Sequence, residues 1–179
     1  MDIDRGEQFK ELCANYGAAM YFAQVLEHGI VNALVFLDLI PRTSAKYTQE
    51  EHDAFYDGQF AKTLGNLIRA LESVSTVPPD LEVALLQSKD RRAYLAHHFF
   101  REAADDVYLG KVDELLAQLE ADRAFFQATD TQLQEFVLPV MRRHGFTEEA
   151  MERAMHEYAQ HLEHGPNNSF KPNPLRGSA

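Results

Sequence analysis

Phe9-Lys10-Glu11-Leu12-Cys13-Ala14-Asn15-Tyr16-Gly17-Ala18-Ala19-Met20-Tyr21-Phe22-Ala23-Gln24-Val25-Leu26 is the stretch whose reading decides the fold class. Phe9, Leu12, Cys13, Tyr16, Met20, Ala23 and Leu26 recur at steps of three and four, the spacing of one face of a helix. The spacing predicts a helix from about Arg5 to His28, with Cys13 as a small core residue. Gly29 is expected to break it. Ile30, Leu34 and Leu37 then resume as a very apolar helix that Pro41 should stop, because proline disfavours helix in the residue before it. The product reads as a buried central helix.

The same period recurs along the rest of the chain, and no alternation of apolar and polar residues is long enough for a strand. Thr48-Gln49-Glu50-Glu51 fits the capping box at a helix start, and the helix it opens is expected to reach about Asp57. Phe60, Leu64, Leu67, Ile68 and Leu71 draw the next stripe, closed by Pro78-Pro79, with Asp80 as the following cap. Leu81, Ala84, Leu85, Ser88, Arg92, Leu95 and Phe99 continue in helical period, but the middle of that run is polar. Gly110 separates it from a long pattern, Val112, Leu115, Leu116, Leu119, Ala124 and Phe125, carrying on to Phe136 and Met141, which Pro139 should kink or divide. Gly145 reads as a C-cap and Thr147 as the N-cap of a last helix that stops at Gly165. The aromatics Tyr16, Tyr21, Phe22, Phe36 and Phe60 follow the stripes and read as core or dimer interface. The expected architecture is all-α, an up-and-down bundle of about five to seven helices in one domain over 1–165, with a disordered tail over 166–179.

Composition sets outer bounds. A chain of 179 residues with 45% hydrophobic and 25% charged side chains has the balance of an ordinary globular domain, able to bury its own core. The stretch from Ile30 to Ile40 is shorter than the ~20 residues of a membrane span, so no membrane role is expected. The acidic start, Met1-Asp2-Ile3-Asp4, does not look like a secretory leader. The single cysteine, Cys13, cannot form an internal disulfide, so a reducing cytoplasm is the expected location. A formal net charge of -11 disfavours polyanions unless a dense local basic patch overcomes it.

Several catalytic classes drop out. There is no glycine-rich phosphate loop, no GxSxG elbow and no Glu followed three residues later by His. His156-Glu157-Tyr158-Ala159-Gln160-His161 is one residue too long for a zinc-protease helix, since its two histidines fall ~140° apart. His161 and His164 share a face with Glu157, which reads first as a solvated polar face. No metal or other cofactor is expected.

Lys89-Asp90-Arg91-Arg92-Ala93-Tyr94-Leu95-Ala96-His97-His98-Phe99-Phe100-Arg101 is the local basic patch. Lys89, Arg91, Arg92 and Arg101 against Asp90 leave a formal +3 in an otherwise acidic chain. Arginines beside histidines suit cleavage of a phosphodiester next to a ribose hydroxyl. A histidine moves the proton, and an arginine fork steadies charge on the phosphoryl oxygens. The same arginines can instead pair with Glu102, Asp105, Asp106 or acids elsewhere, with His97 a half-buried helix residue.

Arg92 followed five residues later by His97, in a helix reading Leu95-Ala96-His97 and then aromatic, resembles the signature of the HEPN superfamily, small all-helical proteins of which many are metal-independent endoribonucleases of toxin or defence type and others are noncatalytic. The resemblance covers Arg92 to His97 directly and the helical layout of residues 5–143 loosely. It implies a HEPN-like bundle and a symmetric homodimer that gathers two motif helices over one cleft. His97 would then be general acid or base and Arg92 would stabilise the phosphorane. Arg91 and His98 would assist, with Lys89 and Arg101 helping to bind RNA. Ala93 departs from the polar residue, often Asn, common after the family's Arg. On an unbroken helix Arg92 and His97 lie ~140° apart, whereas Arg91 and His98 differ by only ~20°. The alternative is a noncatalytic bundle of the same shape, a protein-interaction or antitoxin-like regulatory module binding a cognate protein.

Overall fold

The computed structural model describes residues 5–44 and 46–164; the tail, 166–179, and the side chains of His161 and His164 lie outside the described residues. All regular structure in the described residues is helical, as the periodicity predicts. In chain order the elements are α1 (Arg5–Leu34), a π turn (Val35–Leu39), α2 (Ile40–Thr43), α3 (Gln49–Phe60), α4 (Leu64–Val74), α5 (Pro79–His97), α6 (Phe99–Glu102), α7 (Ala104–Leu109), α8 (Asp113–Arg143) and α9 (Glu148–His164). Contacts group the chain into two compact units, 1–134 and 135–179, with the boundary inside α8.

In the first unit α1 is the central helix, packed against α3, α4 and α5. Leu12, Ala19, Ala23, Leu26 and Ile30 are fully buried along it, and Leu67, Ile68 and Leu71 of α4 close the core from the facing side. Each such Leu or Ile contributes about 1.5–3 kcal/mol of burial, so this contact between α1 and α4 carries much of the unit's stability. The expected apolar face is rotated slightly at its start: Phe9 is exposed, and Cys13 is exposed rather than in the core. Tyr21 and Phe60 are also exposed, while Phe36 is buried as expected.

Gly29 does not break α1. The helix passes through it into the π turn, where the Ile40 N–H bonds to the Val35 carbonyl five residues back. That widened turn precedes Pro41, whose ring would strike the carbonyl four residues earlier in a straight α-helix. One more turn therefore forms before Ser44 ends it in the left-handed region, φ 51°. The continuous stretch Arg5–Thr43 is long and apolar enough to cross a membrane by length and composition, and 56% of its most apolar window is buried inside the protein. Counting only Ile30 to Ile40 misses this stretch because a break is assumed at Gly29.

The caps follow the sequence closely. Thr48 Oγ1 accepts from the Glu51 N–H at 3.2 Å and Glu51 Oε2 accepts from the Thr48 N–H at 2.8 Å, completing the capping box of α3. That helix runs three residues past Asp57, and Thr63 caps α4. Asp80 is not the cap of α5: Pro78 occupies that position and Pro79 opens the helix, leaving Asp80 in the first turn, where its charge suits the dipole. Gly110 takes a left-handed φ of 72° before α8. In the second unit α8 continues through Pro139 without dividing, Gly145 has φ 82°, and Thr147 Oγ1 accepts from the Ala150 N–H as the cap of α9.

Candidate functional site: the Lys89 to Arg101 segment

The polar middle of α5 faces two neighbouring helices. Arg91 Nη1 donates to Asp122 Oδ1 of α8 at 2.7 Å, and its guanidinium lies over the Phe125 ring, 4.1 Å from the centroid. The Asp122 side chain is 6% exposed, so this acid has little water to solvate it and depends on Arg91. One turn earlier, Ser88 is fully buried and its hydroxyl donates to Thr129 Oγ1 at 3.4 Å. Thr129 in turn donates to the Phe125 carbonyl at 2.9 Å. Polar residues thus stitch α5 to α8 where the periodicity alone suggests an interrupted apolar stripe.

Arg92 turns the other way. Its Nε donates to Glu27 Oε1 of α1 at 3.1 Å, with both side chains only partly exposed. Lys89 sits 3.2 Å from Asp90, and Arg101 sits 3.5 Å from Glu102. Each of the four cations of the segment therefore has a carboxylate within ion-pair distance. Adding Glu27, Glu102 and Asp122 to Asp90 brings the formal +3 of the linear sequence to zero.

The histidines stand apart from the arginine pairs. His97 is the last residue of α5, exposed, and has no hydrogen bond or ion pair among the described residues. At His98 the backbone leaves the helix, φ −124° and ψ −35°, although its N–H still reaches the Tyr94 carbonyl at 2.8 Å. The 100° step that aligns Arg91 with His98 on an ideal helix does not carry through this break. Arg101 Nη2 is 2.6 Å from His98 Nδ1, and since a guanidinium only donates, that ring nitrogen accepts. Tyr94 stacks on His98 with ring centroids 6.2 Å apart. No hydrogen bond or ion pair among the described residues joins Arg91 or Arg92 to His97 or His98, so one copy of the chain holds two separate clusters.

Tyr16 anchors the end of α5 to α1. Its hydroxyl donates to the Leu95 carbonyl at 3.2 Å, and its ring meets Phe99 and Phe100 at 5.7 and 4.8 Å. The helix break at His98 is thereby held by a hydrogen bond on its N-terminal side and by aromatic packing on its C-terminal side.

Sequence reasoning missed Asp122 and Glu27 as partners of the motif arginines. A signal for Asp122 was present: it follows Leu119 by three residues and precedes Phe126 by four, an acid on the buried stripe of α8. That stripe also buries Phe126 fully, one residue beyond the Phe125 that the periodicity predicts. No group of three His, Cys, Asp or Glu side chains among the described residues has the geometry to hold a metal ion.

Comparison of the chain with protein-family models, with curated proteins and with solved structures finds no match.

Proposed function

We propose that this protein is a noncatalytic HEPN-like helical bundle, a homodimeric cytoplasmic module that acts by binding a cognate protein partner. One observation carries the reading: every cation of the Lys89 to Arg101 segment already faces a carboxylate, Arg91 and Arg92 through contacts to other helices. Stabilising a phosphorane requires a guanidinium aimed at the phosphoryl oxygens, and binding RNA requires net positive charge at the surface. Arg91, clamped between Asp122 and the Phe125 ring, serves packing. The chain's formal charge of -11 acts in the same direction.

A second reading, metal-independent RNA cleavage, is favoured by His97. It is exposed and without a partner among the described residues. The Arg92–Glu27 pair is also partly solvated, and such pairs are worth only about 0–1 kcal/mol, so a phosphate can displace Glu27. In that reading two copies would bring their His97 and Arg92 side chains to one cleft.

The deciding experiment incubates the purified protein with a broad RNA pool in EDTA, beside His97→Ala and Arg92→Ala, with light scattering for the oligomeric state. The binding-module reading expects two chains per particle, intact RNA, and an unchanged melting temperature for His97→Ala. Cleavage that persists in EDTA, follows a histidine ionisation and drops by about 100-fold or more in His97→Ala would replace it with the ribonuclease reading. A single chain per particle would remove the composite site that the ribonuclease needs, and would equally overturn the homodimer of the binding-module reading.

A further inference from the structure

A pocket of about 310 Å³ opens between α1 and α8, lined by Tyr21, Gln24, His28, Asn32, Asp130 and Gln134. It lies wholly within the first unit and shares no lining residue with the Lys89 to Arg101 segment. Its volume falls at the lower end of small-molecule sites.

Asp130 gives the pocket its chemistry. The residue is 9% exposed, its Oδ2 accepts from Gln134 Nε2 at 2.6 Å, and its fully buried Oδ1 has no hydrogen-bond donor among the described residues. A buried acceptor without a donor is uncommon because desolvating it costs free energy that only a partner returns. The placement also depends on a particular backbone residue. A Cβ added at Gly29 would lie 2.5 Å from Oδ1, so the carboxylate reaches α1 only because residue 29 has no side chain. A mid-helix glycine weakens the helix, and here it admits an acid that the protein leaves half-satisfied.

The remaining lining selects the sign and type of ligand. It holds no Lys or Arg, three side-chain amides offer carbonyl acceptors, and Tyr21 and His28 supply aromatic walls, with His28 braced on Phe60 at 4.4 Å. Asn32 is fixed in turn by a hydrogen bond from the Tyr56 hydroxyl. Acceptors, one carboxylate and aromatic faces suit a cation bearing several N–H donors and repel an anion. Because the torsion of an aspartate carboxyl is broad, a small rotation lets one oxygen keep Gln134 while the other meets the ligand.

We propose that this pocket binds an organic cation with N–H donors, an alkylammonium or guanidinium group, with Asp130 as its counter-ion. The site does not depend on the function proposed above. The cation has two sources, a free small amine or guanidine and the side chain of a Lys or Arg presented by a polypeptide.

The test is calorimetric titration of the full chain with agmatine, with neutral N-butylurea, and with a capped Gly-Arg-Gly peptide. Agmatine is expected to bind at one site, N-butylurea not at all, and Asp130→Asn is expected to weaken agmatine by about tenfold to a hundredfold, the effect of one hydrogen bond to a charged group. Gln24→Lys, at an exposed position on the rim, supplies an internal cation and is expected to abolish agmatine binding, which keeps the test decisive should Asp130→Asn fold poorly. Agmatine binding without the peptide supports a free small molecule, and binding of both supports a side-chain ligand. Failure of both to bind by about 10 mM overturns the proposal, as does equal affinity for the wild type and Gln24→Lys.

Discussion

Replacing Arg91 by methionine tests the claim that this arginine belongs to the fold. Methionine keeps an unbranched apolar stem against Phe125 but removes the charge that faces Asp122. The Asp122 side chain, 6% exposed, is then left without its cation in a site with little water. Removing one partner of a buried pair costs about 3–5 kcal/mol, and losing the contact over the aromatic ring about 0.5–1 kcal/mol more. Arg91 itself is 38% exposed, which lets some water reach the pair and argues for the lower end, about 3 kcal/mol. For a chain of this size that corresponds to a fall of roughly 6–12 °C in melting temperature. Asp122→Asn should cost less, about 1–2 kcal/mol, because the asparagine oxygen still accepts and the partly exposed guanidinium can rehydrate. Thermal and urea unfolding of both single variants and the double variant give the order and the coupling energy. An Arg91→Met protein within about 0.5 kcal/mol of wild type, or one less affected than Asp122→Asn, would refute the reasoning and return Arg91 to the candidate binding surface.

Two further predictions concern α1 and Asp130. Gly29→Ala should gain about 1 kcal/mol of helix propensity but displace the Asp130 carboxylate from Gln134, for a net loss of about 1 kcal/mol in urea unfolding at unchanged m; a stabilised variant would contradict the close approach. Burial raises the Asp130 carboxyl above the ordinary aspartate range, with the Gln134 hydrogen bond opposing the rise. The folded chain therefore holds this proton more tightly than the unfolded chain, and Asp130 makes stability fall as pH rises from about 4 through its folded pKa. Relative to Asp130→Asn, the wild type should lose melting temperature over that window and stay level above it; a difference that is flat, or that grows in favour of the wild type as pH rises, would exclude the buried-carboxyl account.

Local chemistry explains why much of the fold is legible without coordinates. Helix period, the Thr48 to Glu51 capping box, the Thr147 cap and the left-handed glycines at 110 and 145 all depend on residues within a few positions of one another. Such interactions are written in neighbouring letters. Two of the errors fall where a helix-breaking residue is accommodated by its surroundings. Gly29 is kept in the helix and lets α8 approach closely, and Pro41 is accepted after a π turn that the propensities of single residues do not announce.

By itself the sequence determined an all-helical chain, the stripes of its core and a basic, histidine-bearing segment from Lys89 to Arg101. Only the tertiary structure decided what that segment faces. Arg91 and Arg92 are adjacent in sequence, and a step of 100° sends one to Asp122 on α8 and the other to Glu27 on α1, acids 31 and 65 residues away. Charge counted along the chain is a sum over neighbours in sequence. The electrostatic field that a ligand meets is a sum over neighbours in space, and packing brings in carboxylates that no local window contains.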